Sequence, residues 1–147
     1  MTDVMLFVDG SCRGNPGPGG YCAILQANDR GKALVGGDDQ TTNNRMELTA
    51  VLVGLQALKR PCTVQVVTDS RYVVTILQGG QARANRELVA QVRVAAAGHQ
   101  VTVGWVAGHS GHAENERCHQ LAHAEATRRL LGARDVVRRG AQEAMYV

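Results

Sequence analysis

The spacing of apolar residues changes along this 147-residue chain, and this change constrains the fold more than any other feature. Apolar runs at Val4–Val8, Tyr21–Gln26 and Ala33–Gly36 predict three short strands. A cluster of turn residues, Gly14–Gly20, separates the first two. Because short connections join neighbouring strands, these segments predict an antiparallel meander.

Beyond the third strand, segments with helical spacing alternate with strand-like segments. Thr41 or Thr42 can cap the first helix, and Pro61 ends it. Helical crossovers make the later strand pairings parallel, so the chain predicts an α/β (or related α+β) fold, a five-stranded mixed sheet flanked by helices. The predicted helices are Arg45–Leu58, a Ser70-capped helix through Leu77, Asn85–Ala97 capped by Asn85, and Ala113–Leu131, and the later strands are Thr63–Thr68 and Val101–Trp105.

Length and composition are those of an ordinary globular protein, with one domain at residues 1–131 and a C-terminal tail at residues 132–147, docked or disordered. No apolar stretch is long enough to cross a membrane, and Met1–Asp9 lacks the features of a signal peptide. A cytoplasmic location is therefore expected. The cysteines are scattered, which favours reduced thiols over disulfides or a zinc site.

The net charge of +3 comes mainly from arginine, since Lys32 and Lys59 are the only lysines. Arginine can bind two phosphate oxygens at once. A compositional bias of the source genome explains the same excess equally well. The charge therefore permits nucleic-acid binding without demonstrating it.

Three acidic residues fall at one end of the predicted sheet. Asp9 and Asp69 each follow an apolar strand, and Glu47 lies near the start of the first long helix. Taken singly, each has a structural explanation: a turn for Asp9, helix capping for Asp69 and compensation of the helix dipole for Glu47. Together they predict a site for Mg²⁺ or Mn²⁺, because clustered carboxylates repel one another unless a cation joins them.

Several ordered motifs resemble bacterial type 1 ribonuclease H. Asp9–Gly20 resembles the opening motif of that family, and Thr41–Leu48 resembles the helix motif that carries its catalytic glutamate. Thr68–Ser70 resembles the segment with its second catalytic aspartate, and Trp105–His112 with Glu114–Cys118 resembles its C-terminal motif. The resemblance covers nearly the whole chain.

The resemblance implies an endoribonuclease that hydrolyses the RNA strand of RNA–DNA hybrids and leaves 5′-phosphate and 3′-hydroxyl ends. It implies two divalent ions, Mg²⁺ or Mn²⁺, about 3.5–4 Å apart, of which one helps to generate hydroxide and the other stabilises the leaving oxygen. Asp9, Glu47, Asp69 and His119 would hold them. His109 would be the family's mobile-loop histidine, which moves a proton or releases product, whereas His112 is expected to be an ordinary loop residue.

The substrate contacts implied by the resemblance fall into two groups. Cys12, Gly14 and Asn15 match positions that approach the RNA 2′-hydroxyls, the groups that distinguish RNA from DNA. Thr42, Asn43 and Asn85 match positions that hold a DNA phosphate, although capping explains Asn85 equally well. The expected partner is the hybrid itself, bound by a monomer with no obligate protein partner and no membrane.

The sequence departs from the family pattern at His119, where a fourth metal-binding carboxylate is expected. Histidine brings no negative charge, and imidazole suits manganese better than magnesium. We therefore expect an active enzyme with weaker magnesium dependence and a manganese preference. His119 and His123 also have the spacing of zinc ligands on a helix, but without a third ligand nearby a surface pair is the simpler interpretation.

A second departure lies in the connector Gln78–Ala84, where many bacterial members carry a basic, tryptophan-rich helix that grips the hybrid. The chain thus resembles the shortened members of the family. Affinity is expected to depend instead on a set of arginines: Arg71, Arg83 and Arg86, and the tail residues Arg134, Arg138 and Arg139.

Two other functions are compatible with this pattern. One is a non-catalytic hybrid-binding module that has lost its fourth ligand, and the other is a different nuclease or a transposase on the same fold. The intact Asp9, Glu47 and Asp69 favour an enzyme, because a binding module does not need clustered acids. The Asn15 and Thr42–Asn43 segments favour the hybrid-cutting type.

Overall fold

The computed structural model describes residues 1–106 and 113–145, with residues 134–145 described by their backbone alone. In this part of the chain, strands form one five-stranded sheet in the order β3-β2-β1-β4-β5. The strands are β1 (Thr2–Cys12), β2 (Gly17–Ala27), β3 (Arg30–Thr41), β4 (Cys62–Thr68) and β5 (Gln100–Trp105), and the helices are α1 (Asn43–Gln56), α2 (Arg71–Leu77), α3 (Arg86–Ala97) and α4 (Ala113–Met145).

The pairing of the strands confirms the predicted mixed sheet. β1 pairs antiparallel with β2, and β2 pairs antiparallel with β3, which is the expected meander. β1 and β4 are parallel, and so are β4 and β5. The helical crossovers between these strands account for the parallel direction.

Helices cover both faces of the sheet, because successive side chains of a strand point to opposite faces. Leu6 and Val8 of β1 join a core cluster with Leu48 and Val51 of α1. Phe7, between them, packs in a second cluster on the other face, with the α4 residues Cys118 and Ala122. β1 is therefore covered on both faces, and its carboxyl end emerges between α1 and α4.

The first two strands are longer than predicted. β1 continues to Cys12, so Asp9–Gly10 lies inside a strand and the turn interpretation of this pair is wrong. Likewise, β2 begins at Gly17, inside the segment predicted as a turn. The reason is packing: a Cβ at Gly20 would collide with the Ala122 carbonyl of α4, so this glycine allows close approach of helix and strand.

The last helix also exceeds its predicted end at Leu131, since its backbone continues to Met145. Gly132 and Gly140 lower helix propensity but, unlike proline, do not remove a backbone donor. The predicted docking of the tail concerns side chains outside the described residues. None of the helices in the described part of the chain combines the length and apolar character needed to cross a bilayer.

Two further local predictions hold. All four cysteines are free, as expected. Ser70 caps α2, because its hydroxyl oxygen accepts a hydrogen bond from the Val73 N–H at 3.2 Å. Asp69 is therefore not the cap of this helix, and capping does not explain its presence.

Candidate active site

Two of the three predicted acids meet because their strands are parallel neighbours. Phe7 of β1 pairs with Val67 of β4. Continuing that register by two residues places Asp9 opposite Asp69 at the carboxyl end of both strands. This is the end of a parallel sheet where ligands are usually bound.

Glu47 reaches the same place from the start of α1. Thr42 caps this helix, since its side-chain oxygen accepts from the Arg45 N–H at 3.2 Å. Gly10 of β1 lies directly under the first turn: a Cβ there would be 2.5 Å from the Glu47 backbone nitrogen. The absence of a side chain at Gly10 therefore allows Glu47 to approach the strand that carries Asp9.

The three carboxylates form one cluster. Asp9, Glu47 and Asp69 each offer an oxygen, and these atoms lie within 4.8 Å of one another. Asp9 and Glu47 are buried, and Asp69 is half-buried. The cluster is the only group of three or more candidate metal ligands among the residues described.

Burial and mutual repulsion make this cluster unfavourable when all of its members are charged. Burial, followed by the charges of Asp9 and Asp69, raises the pKa of Glu47 well above its ordinary value. Burial and Asp69 also raise the pKa of Asp9, and hydrogen bonds from His119 and the Gly10 N–H partly oppose that shift. Among the described residues, the buried Glu47 Oε2 has no hydrogen-bond partner.

These properties fit divalent cations. Carboxylate oxygens are the ligands that Mg²⁺ and Mn²⁺ prefer, and a cation would relieve the repulsion and give Glu47 Oε2 a partner. In the described part of the chain, Asp9, Glu47 and Asp69 are the residues that could hold such ions.

His119 lies at the edge of this cluster. Its Nδ1 is 2.8 Å from Asp9 Oδ2, and its ring stacks on that of His123 with 6.2 Å between centroids. The Nε2 atom of His123 in turn lies 3.4 Å from the Nη1 atom of Arg13. The two histidines thus form the expected pair on the helix surface, and in the described part of the chain they belong to no three-ligand group.

Hydrogen bonds connect the residues that are matched to RNA and DNA contacts. The Cys12 thiol donates to the Gly14 carbonyl at 2.8 Å, and Gly14 has the positive φ (78°) that glycine tolerates best. Asn15 Oδ1 accepts from the Asn43 backbone N–H at 3.0 Å. This bond ties the loop after β1 to the first residue of α1.

Asn85 precedes α3 as predicted, but the prediction that its side chain caps the helix is wrong. Its φ is +57°, and its side chain makes no capping hydrogen bond. Instead Oδ1 accepts from the Arg45 guanidinium at 3.2 Å, and Nδ2 donates to the Tyr72 hydroxyl at 3.3 Å. These two hydrogen bonds join Asn85 to Arg45 of α1 and Tyr72 of α2.

Three residues near the site were not identified as candidates from the sequence: Arg45, Tyr72 and Trp105. Arg45 lies inside the helix motif, which was the available signal. The sequence pattern places Trp105 only in a strand, yet its ring lies beside the Arg71 guanidinium. Nothing in the local pattern indicates that contact, because β5 and α2 are far apart in sequence.

Residues Gln78–Asn85 contain no helix, which agrees with the predicted lack of a basic handle. The Arg93 guanidinium donates to the carbonyls of Ile76 and Gly80 and holds the start of this connector. His109 and His112 lie outside the described residues.

Comparisons with known proteins agree with this fold. The sequence model of the RNase H family matches residues 1–127. A ribonuclease H of Nitratidesulfovibrio vulgaris is 48% identical over 144 residues, covering 88% of this chain and 92% of that protein. A ribonuclease HI of Helicobacter pylori is 42% identical over 139 residues, with 88% and 97% covered.

Among solved structures, LC9-RNase H1, described as a type 1 RNase H with the type 2 active-site motif, shares the fold with a TM-score of 0.77. It is 29% identical, and the match covers 88% of this chain and 74% of that one. The match to the family over residues 1–127 and the two relatives above 40% identity lead to one conclusion: this chain belongs to the RNase H family.

Proposed function

We propose that this protein is an endonuclease that hydrolyses the RNA strand of RNA–DNA hybrids and leaves 5′-phosphate and 3′-hydroxyl ends. The observation that carries the proposal is the cluster of Asp9, Glu47 and Asp69, whose ligand atoms lie within 4.8 Å of one another. The relatives above 40% identity are named for ribonuclease H activity.

Two bound divalent ions would help to generate hydroxide and stabilise the leaving 3′ oxygen. Asp9, Glu47 and Asp69 would hold these ions, with His119 as a fourth ligand. The Gly10 N–H donates to Asp9 Oδ1 at 2.9 Å and so orients that carboxylate. We assign to His109 the transfer of a proton or the release of product.

Two groups of residues around this cluster are proposed to bind the hybrid, one for each of its strands. Cys12, Gly14 and Asn15 would approach the 2′-hydroxyls of the RNA strand. Thr42, Asn43 and Asn85 would hold a phosphate of the DNA strand, and the Arg45 guanidinium bonded to Asn85 adds positive charge there. The hydrogen bond between Asn15 and Asn43 would keep the two sets at a fixed separation.

All of these residues belong to one chain, so we propose that the enzyme acts as a monomer. The family match ends at residue 127, which supports the assignment of the activity to residues 1–131. Residues 132–147 would then be an appendage whose arginines add to substrate affinity.

The proposed reaction is tested with a labelled RNA–DNA hybrid, beside double-stranded RNA and double-stranded DNA. We expect cleavage of the RNA strand of the hybrid, and loss of that cleavage in Asp69→Asn, which removes a metal-binding charge and keeps the shape of the side chain. Hybrid binding by the wild type without cleavage in either metal would instead support a non-catalytic binding module. Cleavage of the DNA duplex would support another nuclease.

The metal preference follows from the position of His119 beside Asp9. We expect a higher kcat/KM with Mn²⁺ than with Mg²⁺, because a neutral imidazole contributes no charge and suits Mn²⁺ better. His119→Asp restores a carboxylate and should shift the preference towards Mg²⁺. His123→Asp, the same change one helical turn away, should not; a clear Mg²⁺ optimum in the wild type would contradict the prediction.

A further inference from the structure

Trp105 is the only tryptophan in the chain and lies at the exposed edge of the active site. It is the last residue of β5, and 45% of its surface is accessible. A single exposed apolar residue needs no special explanation. The two contacts that this side chain makes do need one.

Both contacts lead to the neighbourhood of the metal-binding cluster. The indole Nε1 donates to the backbone carbonyl of Asp69 at 3.2 Å. The Cζ atom of Arg71 lies 4.5 Å from the centroid of the indole ring, within the range of a cation–π interaction. One ring therefore contacts both the backbone of a metal-binding residue and the arginine two positions further along the chain.

Among the side chains that the structure describes, Arg71 takes part in no ion pair, so none of them neutralises its charge. A guanidinium that lies over an aromatic ring keeps its edge N–H groups free to bind two phosphate oxygens. Such a fixed cation would favour the approach of a phosphate towards a cluster that is itself negative.

We propose that Trp105 is a positioning residue for substrate binding: its ring holds the Arg71 guanidinium so that the guanidinium edge contacts a backbone phosphate of the hybrid beside Asp69. The pair supplies part of the affinity that the connector Gln78–Ala84, which has no basic helix, does not supply. The inference rests on the proposed function, since it takes the hybrid as the ligand.

The first test is hybrid affinity in EDTA, where cleavage is blocked, at several salt concentrations. Trp105→Leu should raise Kd about two- to fivefold, the loss expected when an exposed cation–π contact is removed. It should also reduce the slope of log Kd against log salt by about 1, the value of one phosphate contact. Arg71→Ala should show the same reduced slope, and Trp105→Leu combined with Arg71→Ala should bind no more weakly than Arg71→Ala alone.

Two controls separate positioning from a structural role. Trp105→Phe keeps an aromatic face and should bind like the wild type. Arg60→Ala removes an exposed arginine that precedes β4, at the end opposite Asp69, and should leave the salt slope unchanged. With Mg²⁺ or Mn²⁺ present, Trp105→Leu should have a higher KM than Trp105→Phe and the same kcat, because both variants lose the hydrogen bond to the Asp69 carbonyl and differ only in the aromatic face.

The intrinsic fluorescence of the protein is a direct readout, because Trp105 is its only source of tryptophan emission. We expect saturation with hybrid to change this emission, and Arg71→Ala to shift it in the free protein. Unchanged emission on saturation would overturn the inference. So would losses in Trp105→Leu and Arg71→Ala that simply add, or a Trp105→Phe variant as weak as Trp105→Leu.

A wild-type protein that neither binds nor cleaves the hybrid would contradict the proposed function itself. This outcome differs from those above, which contradict only the role of Trp105.

Discussion

Replacing Glu47 with glutamine is expected to stabilise the metal-free protein and to abolish its activity. Burial and the charges of Asp9 and Asp69 raise the pKa of Glu47 well above its ordinary value of 4.5. A neutral amide of the same shape removes that repulsion. We therefore expect Glu47→Gln to raise the free energy of unfolding at pH 7.

The pH dependence of stability gives the sign of this effect. A carboxyl whose pKa is higher in the folded state binds a proton that the unfolded chain has already released. The wild-type protein without metal should therefore lose stability as the pH rises from about 4.5 through the raised pKa of Glu47. The Glu47→Gln variant should show a smaller decline over the same range.

Divalent cations should make the wild type more stable than the Glu47→Gln variant, the reverse of the order without metal. A cation that binds only the folded state raises Tm, so Mg²⁺ or Mn²⁺ should stabilise the wild type more than the variant. Activity should fall more than about a hundredfold, a loss that even changes in the outer coordination shell can produce. Thermal denaturation and hybrid cleavage measure the two effects.

Glu87→Gln, at an exposed position in α3, is the matched control and should change neither quantity greatly. A metal-free Glu47→Gln protein that melts below the wild type, with the same pH profile, would show that the crowding of acids is not what limits stability.

Adding one methyl group at Gly10 is expected to damage both stability and catalysis. A Cβ at this position would lie 2.5 Å from the Glu47 nitrogen, 2.7 Å from the Met46 carbonyl carbon and 2.8 Å from the Met46 Cβ. Two of these atoms are backbone, so the clash can be relieved only if α1 moves away from β1. Overpacking of this kind costs about 1–3 kcal/mol.

The same movement separates Glu47 from Asp9. Since a displacement of about 1 Å at a catalytic group can lower the rate about a hundredfold, Gly10→Ala should reduce kcat although it alters no reactive group. Hybrid affinity should change less, because most of the proposed substrate contacts lie outside the first turn of α1.

Gly31→Ala is the control for this variant. Gly31 also lies in a strand, but the nearest atom to its Cβ would be 3.7 Å away. Its stability and activity should stay close to the wild type. A Gly10→Ala protein with unchanged Tm and kcat would refute the role of this close approach.

The three acids of the cluster could be predicted from the sequence because each signal is local. Asp9 and Asp69 follow apolar runs, and Glu47 follows a capping threonine by five residues. The meander and the α1 crossover make β4 run in the same direction as β1. The pairing of β4 with β1 rather than with β3 is decided by the tertiary structure. The caps Thr42 and Ser70 were predictable from local signals too, since capping depends on residues within one turn.

The sequence by itself therefore determined the order of strands and helices along the chain. It also determined which acids form the cluster and that a histidine, His119, takes the place of a fourth carboxylate. All of these depend on residue type and short-range spacing. Only the tertiary structure decided how the glycines of β2 and Asn85 are used, because their partners lie on α4 and α1. The same holds for the contact of Trp105 with Arg71. Contacts between elements distant in the chain depend on how helices pack on the sheet, and no local pattern of residues specifies that packing.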